Sequence, residues 1–306
     1  MIRLILSKTA NAVLTLLIAS SLAFFLARGS GSPVREILGD SATPEQVAQL
    51  TAELGLDKPL IVQYGQFLLD LVSFDLGDSL RYGQSNLELI AGRLPASIEL
   101  ALFALLLAVA VGVPLGIIAA MREGGVVDRI ASMLALLGQS VPLFWLGLML
   151  ILLFAVRLGW FPAGQNDGID SLVLPAVTLS TLPMAQIARL TRSSMSEVLH
   201  EGFISAARAR GLAGWRIILI HAFRPASLPV VTIVGLQAGM LLSGAVTVEY
   251  VFAWPGLGSL ATQAVQTRDF PLVQSIVVFG ALVFVLINLA VDLLYGLVDP
   301  RIREDA

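Results

Sequence analysis

Six long stretches without a charged residue constrain this chain more than any other feature of its sequence. Each is close to the roughly 20 apolar residues that a helix needs to cross a bilayer. A backbone in lipid must satisfy its own polar groups, so each stretch is predicted to form a helix. The stretches are Thr9–Ala27, Leu100–Met121, Ile130–Val156, Ser171–Ala188, Pro225–Val248 and Phe270–Val291.

Composition agrees with a chain that is solvated by lipid. Charged residues make up 13% of the 306 residues and hydrophobic residues 57%, whereas a soluble domain carries about a quarter charged residues. The net charge of -3 is too small to indicate a nucleic-acid partner. The lack of cysteine excludes disulfides, thiolate catalysis and cysteine-based metal sites. The sequence therefore predicts an all-α membrane protein with six transmembrane helices.

A further stretch without charge, Tyr250–Thr267, is not counted among the spans. It contains Pro255, Gly256 and Gly258, and its second half is polar. Proline and glycine are the strongest helix breakers. We expect an extramembrane or re-entrant segment here, with a seventh span as the alternative.

Lysine and arginine set the predicted orientation. With six spans both termini lie on one side, and placing them in the cytosol puts twelve of the 19 Lys and Arg residues inside. Five of the seven outside residues fall in one long loop, and long loops are translocated largely regardless of charge. We therefore expect both termini in the cytosol.

The external segment between spans one and two, residues 28–98, carries helix signals of its own. Thr43–Gln46 is a capping box with proline at the first helical position. Gly55 stands where a left-handed residue ends a helix. Farther on, apolar residues recur at helical spacing and predict an amphipathic helix over Pro59–Leu71. Its apolar face must pack on the chain's own spans, on lipid headgroups or on a periplasmic partner.

The cytosolic segment between spans four and five, residues 189–224, holds half of the inside Lys and Arg and both histidines. Two short helices are predicted here, Ser196–Arg210 and Gly214–Phe223, with Gly211 as the turn between them. A linker does not need this much helical pattern. We expect a docking element, with a self-packed hairpin as the alternative.

The chain lacks the residues that nucleotide hydrolysis and other catalysis require. A Walker-type phosphate loop needs a lysine after a glycine, but Lys8 follows serine and Lys58 follows aspartate. Any ATP must therefore be bound by another polypeptide. His200 and His221 lie outside the predicted spans and 21 residues apart, so neither protease chemistry nor a metal site is supported. No catalytic, cofactor-binding or metal-binding residue is predicted.

An ion-coupled secondary carrier is the alternative function. Such carriers place ionisable residues inside spans, whereas the six stretches contain none. Glu99, Glu249 and Asp292 flank spans at their edges. The energy for transport is therefore expected to come from outside this membrane domain.

The segment Glu201–Gly211 resembles the E-A-A-x-x-x-G coupling loop of binding-protein-dependent ABC importer permeases, with Ser205 at the position of the loop's glutamate. Ala207–Gly211 followed by His221–Arg224 is similar to the dipeptide, oligopeptide and nickel group of these permeases. Further motifs of the first permease subunit of that group cover nearly the whole chain. They are Asp40–Gln46, Leu54–Leu60, Arg93–Ser97, Val141–Trp145, Phe252–Gly258 and Asp299–Arg303.

The resemblance implies a type I ABC importer permease in the bacterial inner membrane. Residues 1–98 would form the first span and a helical periplasmic segment, residues 99–298 the transmembrane core, and residues 299–306 a cytosolic tail. The chain would form the channel through which di- or oligopeptides pass from a periplasmic binding protein to the cytosol by alternating access. Its partners would be a paralogous permease, the solute-binding protein and two ATPase subunits that bind ATP and Mg.

Two groups of residues are candidates for this function. Coupling to the ATPase is expected from a short helix that seats Phe203, Ile204, Ala206 and Ala207 in an apolar groove of the partner. The full coupling set is Glu201, Phe203, Ile204, Ser205, Ala206, Ala207, Arg208, Arg210 and Gly211. Polar residues within spans are candidates for the translocation path, or else for hydrogen bonds between helices. They are Gln139, Ser140, Gln186, Gln237, Ser243 and Asn288.

Overall fold

The computed structural model describes residues 2–29, 34, 38–39, 42–53, 55–73 and 75–298. It does not describe the side chains of residues 2–9, 27, 242–243 and 290–298, and the predicted tail at residues 299–306 lies outside the described residues. In the ranges described, one isolated bridge between Asp78 and Ser85 is the only β pairing. The predicted all-α class is confirmed.

Helices follow one another along the described chain. The first four are α1 (Ile2–Gly29), α2 (Pro44–Glu53), α3 (Leu60–Val72) and α4 (Asn86–Met121). The next four are α5 (Val126–Ser140), α6 (Leu143–Leu150, continued by the π-helical turn π1, Ile151–Arg157), α7 (Ile169–Leu199) and α8 (Gly202–Ala209). The last four are α9 (Gly214–Arg216, continued by the π-helical turn π2, Ile217–Ala222), α10 (Phe223–Val251), α11 (Leu257–Gln266) and α12 (Phe270–Val298).

Four helical segments are long and apolar enough to cross a membrane: α4, α7, Gly214–Leu241 and Phe270–Leu289. Helices α5 and α6 make a fifth span if this bent pair is counted as one. The apolar part of α1, Ala10–Leu26, is shorter. Length and composition thus confirm four or five of the six predicted spans among the described residues. Helix α11 has only 10 residues, too few for the seventh span that was the alternative.

The third predicted span, Ile130–Val156, is not a single helix, and the prediction was wrong there. Helix α5 and the following α6–π1 segment are bent by 105° relative to each other. Pro142 has no N–H to donate and disfavours helical backbone in the residue before it. Val141 is accordingly extended, with φ -81° and ψ 126°.

The helices of the predicted cytosolic segment also differ from the prediction. Helix α7 runs past the charged residues to Leu199, so the predicted helix Ser196–Arg210 is divided between α7 and α8. The predicted helix Gly214–Phe223 does not stop but continues through π2 into α10. Charged residues mark where a helix leaves an apolar environment, and they do not end its backbone hydrogen bonding.

The chain divides into two compact units. In the unit that contains residues 96–255 and 286–298, α7 packs on α4, α5 and α10. Small residues let these backbones approach closely. An added Cβ at Gly116 of α4 would lie 2.5 Å from the carbonyl oxygen of Ala188 and 2.6 Å from Cβ of Thr191. Helices α4 and α7 are therefore in direct backbone contact.

In the other unit, residues 2–95 with 256–285, the predicted helix signals are confirmed. The N–H of Thr43 donates to Oε1 of Gln46 at 3.0 Å, and the N–H of Gln46 donates to Oγ1 of Thr43 at 3.4 Å. After α2, Gly55 has a φ of +62°, and the N–H of Leu56 donates to the carbonyl of Thr51 at 2.9 Å. The capping box therefore defines the start of α2 and the left-handed glycine defines its end, as predicted from the sequence.

The amphipathic helix predicted over Pro59–Leu71 is present as α3, and it packs on the chain's own first helix. The hydroxyl groups of Ser21 and Tyr64 lie 2.6 Å apart. The ring centroid of Phe24 lies 5.4 Å from those of Tyr64 and Phe67. This face of α3 thus packs on α1, the helix that carries the first predicted span.

Candidate functional site

The coupling segment forms a short helix with a sharply defined end. Glu201 is extended, with φ -68° and ψ 148°, and α8 starts at the next residue. After the helix, Gly211 adopts a φ of +73°. Its N–H donates to the carbonyl of Arg208 at 3.0 Å, and the N–H of Leu212 donates to that of Ala207 at 3.3 Å. These are the two hydrogen bonds of a Schellman helix end, which favours glycine at the left-handed position. The turn predicted at Gly211 is confirmed.

One face of α8 is anchored in the chain's own core. Ile204 is completely buried and Ala207 is 8% exposed. The sequence predicts that both seat in a groove of a partner, and that prediction was wrong for these two residues. They pack instead with residues of α4, α7, π2 and α10, which are Ala120, Met195, Ile217, Ala222 and Ala226. Their positions three apart bring both onto the inward face of the helix.

The remaining coupling candidates lie on the outside of α8. The side chain of Phe203 is 49% exposed, although the burial of such a large apolar group would be favourable. Ala206 and Arg210 follow it along the same side of the helix, and we call these three residues the outer face of α8. The coupling candidates that are exposed are Glu201, Phe203, Ser205, Ala206, Arg208, Arg210 and Gly211. Within the described part of the chain, Arg208 and Arg210 form no ion pair.

A cluster missed by the sequence analysis joins α5 to α7 near α8. The guanidinium of Arg192 binds the carboxylate of Asp128 through Nε and Nη2, and the Nη2–Oδ2 distance is 2.8 Å. The N–H of Gly124 donates to the same Oδ2 at 2.9 Å, and Asp128 is 4% exposed. Beside this pair, the hydroxyl of Ser196 donates to the carboxylate of Glu123. In the sequence, Asp128 stands out only as the last residue of a Gly-Gly-x-x-Asp run at the start of α5. This run does not indicate that Arg192 is the partner of Asp128.

The translocation candidates are not brought together as a set. Nε2 of Gln237 donates to Oε1 of Gln186 at 2.7 Å, which joins α10 to α7. The hydroxyl of Ser140 donates to a carbonyl of its own helix at 2.9 Å. Asn288 is half-buried on α12. The side chain of Ser243 lies outside the described residues. The geometry of Gln186 and Gln237 matches the alternative reading, a hydrogen bond between helices.

Gln139 faces a cavity of about 180 Å³ between α4, α5 and α7. The amide nitrogen Nε2 of Gln139 is buried and has no acceptor among the described residues. Small and apolar residues form most of the wall, and Arg189 and Arg192 contribute to it. The described part of the chain contains no group of three or more potential metal ligands.

Glu249 lies in the last turn of α10, near the predicted edge of a span. It is completely buried, and the hydroxyl of Ser97 donates to its Oε1 at 2.6 Å. Next to it, Nε1 of Trp254 donates to the carbonyl of Ala96 at 2.9 Å. Two hydrogen bonds therefore join the C-terminal end of α10, and the turn after it, to α4. A buried carboxylate needs such partners because its desolvation is costly.

Comparison with known sequences identifies the family. The pattern described as "Binding-protein-dependent transport system inner membrane component" matches residues 112–304, and the N-terminal pattern of such components matches residues 1–101. The dipeptide transport system permease protein DppB of Escherichia coli (strain K12) is 42% identical over 306 residues, with 90% of each chain covered. DppB of Alkalihalophilus pseudofirmus is 42% identical over 301 residues, which cover 89% of this chain and 90% of the relative.

Solved structures show the same fold at low sequence identity. The MetNI methionine ABC transporter, in an inward-facing conformation, matches with a TM-score of 0.56 at 20% identity, over 70% of this chain and 97% of that chain. An amino acid ABC transporter determined with histidines matches with a TM-score of 0.52 at 18% identity, over 68% and 93%. The chain therefore belongs to the inner membrane components of binding-protein-dependent transport systems, the permease subunits of ABC importers.

Proposed function

We propose that this permease forms the channel through which an ATP-driven importer brings di- or oligopeptides into the cytosol. Similarity to dipeptide permeases over 90% of their length supports the substrate class. The observation that carries the coupling role is the two-sided structure of α8. Ile204 and Ala207 anchor the helix in the chain's own core, while the outer face remains exposed.

The outer face of α8 suits contact with an ATPase subunit. The exposed ring of Phe203 offers an apolar anchor, and aromatic residues and arginine are the types that most often dominate binding energy at interfaces. ATP and Mg would be held by that subunit, since neither Lys8 nor Lys58 follows a glycine. Closure of the ATPase dimer would displace α8. The packing of Ile204 and Ala207 would pass this displacement to α4, α7 and α10, because packed interfaces switch between discrete arrangements.

The complete transporter would contain four kinds of chain. A paralogous permease would complete the membrane channel, and two ATPase subunits would bind the cytosolic side. A solute-binding protein would deliver the peptide from the periplasm and set most of the selectivity. This arrangement requires α8 and both termini to lie in the cytosol. The same orientation puts twelve of the 19 Lys and Arg residues on the cytosolic side, in agreement with the excess of positive charge in cytoplasmic loops.

The proposed function is tested by transport in proteoliposomes that contain the assembled complex and peptide-loaded binding protein. We expect uptake to require ATP, and the purified permease alone to hydrolyse none. Phe203→Ala should lower both ATP-dependent uptake and retention of the ATPase subunits during purification. Phe103→Ala is the matched control, because Phe103 lies on α4 and is exposed to a similar extent, 43%.

Two results would count against the proposal. One is uptake that follows an ion gradient without ATP, which would favour a secondary carrier. The other is a Phe203→Ala complex that retains its ATPase subunits and transports at the wild-type rate. Either result would mean that α8 is not the site through which ATP drives this protein.

A further inference from the structure

Helices α5 and α7 approach each other at two separate levels. At one level, an added Cβ on Gly138 of α5 would lie 3.2 Å from Cγ2 of Thr181 on α7. At the other level, the carboxylate of Asp128 binds Arg192. The cavity of about 180 Å³ lies along the helices between these levels and is lined by Ala135, Gln139 and Ala188, among others. Because packing is incomplete there, the ion pair and the Ser196–Glu123 hydrogen bond beside it hold the start of α5 on α7.

The ion pair lies close to α8 along the chain. Ile204 of α8 packs in the same buried cluster as Met195 of α7, and Arg192 is one helical turn before Met195. Only His200 and Glu201 separate α7 from α8. Helix α4 is held to α7 by backbone contact and needs no additional link. Helix α5 has no residue in the cluster around Ile204, so a different contact must connect it to α8.

We propose that the Asp128–Arg192 pair is the positioning link through which movement of α8 reaches α5. The inference rests on the proposed function, since it takes α8 as the helix that the ATPase displaces. A two-point contact between guanidinium and carboxylate fixes angle as well as distance. The N–H of Gly124 also donates to Oδ2 of this carboxylate, at 2.9 Å. Through the first turn of α5, the motion would reach Gln139 and the bend at Pro142.

The pair is proposed to act by positioning α5, so its test needs a readout beyond transport rate. We would measure peptide uptake per ATP hydrolysed in the assembled complex, with binding protein present. Asp128→Asn keeps the size of the side chain and removes its charge, and we expect about a tenfold lower ratio with ATP hydrolysis retained. Asp128→Glu should retain most of the wild-type uptake per ATP. Arg192→Lys should give a ratio between those of Asp128→Glu and Asp128→Asn, because it loses the guanidinium fork. Glu197→Gln is the control. It changes an exposed residue on α7, the helix that carries Arg192, and should give the wild-type ratio.

A distance measurement then distinguishes a mechanical link from simple stabilisation. The chain contains no cysteine, so cysteines introduced at Ile130 of α5 and Ala209 of α8, both exposed and neither a coupling candidate, would be its only spin-label sites. In the wild-type complex we expect the same label-to-label distance with and without trapped nucleotide, because the two helices move together. In Asp128→Asn the distance should change when nucleotide is trapped.

The outcomes separate this inference from the proposed function. A wild-type ratio in Asp128→Asn would overturn the link alone, and so would a lowered ratio with an unchanged distance. A complex without ATP-driven uptake before any substitution would count against the proposed function instead. If Asp128→Asn does not reach the membrane, the same two measurements are made on Arg192→Lys. We then expect a lowered uptake per ATP and a label-to-label distance that changes when nucleotide is trapped.

Discussion

Gly211 at the end of α8 offers the most direct test of how the coupling helix is held. Its φ of +73° lies in the left-handed region, and no atom lies within 4 Å of the place where a Cβ would stand. A side chain at this position therefore meets no steric clash with other residues. Its cost is the free energy of holding an L-residue in the left-handed conformation, about 1–2 kcal/mol. Since each 1.4 kcal/mol is tenfold, alanine should disfavour this turn by about 5- to 30-fold relative to glycine.

A series at this position should follow the tolerance of each residue for positive φ. Asparagine enters the left-handed region more readily than most residues, and β-branched valine is a strong outlier there. We expect Gly211→Asn to retain most uptake, Gly211→Ala to retain less, and Gly211→Val to abolish it while the chain remains in the membrane. The assay is ATP-dependent uptake of a labelled dipeptide, normalised to the amount of permease in isolated membranes.

The matched control is Gly214→Val. Gly214 starts the helix after the turn, also has no atom within 4 Å of an added Cβ, and does not require positive φ. The same substitution should therefore have little effect at this position. Normal uptake by Gly211→Val, or equal losses at the two glycines, would refute the reasoning that the left-handed turn sets the orientation of α8.

Two further substitutions test the packing that supports the site. Gly116→Ala would place a Cβ 2.5 Å from the carbonyl oxygen of Ala188 and should lower the thermal unfolding midpoint in detergent, whereas Gly280→Ala, with no atom within 4 Å, should leave it unchanged. Trp254→Phe keeps a ring but removes the indole donor to the half-buried carbonyl of Ala96. It should cost about 0.5–1.5 kcal/mol, and an unchanged midpoint would show that this bond does not support the C-terminal end of α10.

The parts of the fold that depend on local chemistry could be predicted from the sequence. The capping box at Thr43 and the left-handed glycines Gly55 and Gly211 lie where the pattern placed them, because hydrogen bonds within a few residues determine them. Proline shows the limit of such reasoning. Pro183 lies inside the continuous helix α7, whereas Pro142 separates two helices. The local rule that accounts for the break at Pro142 therefore does not by itself predict whether a proline ends a helix.

The candidate site was predictable only as a segment. The spacing of Ile204 and Ala207 indicates that they share a face of α8, but their burial depends on distant residues such as Ala120. Asp128 and Arg192 are 64 positions apart in the chain. Neither has a sequence neighbour that indicates the other, so only the folded structure reveals the pair.

The burial of Glu249 has a consequence for how the protein is made. Its partner Ser97 lies 152 positions earlier in the sequence, and N-terminal parts of a chain fold first during synthesis. The helix that carries the hydroxyl therefore leaves the ribosome well before the helix that carries the carboxylate. Biogenesis of the last turn of α10 is thus a docking step onto a helix already inserted, and nascent chains that end between Ser97 and Glu249 contain the docking position on α4 but not the turn that docks there.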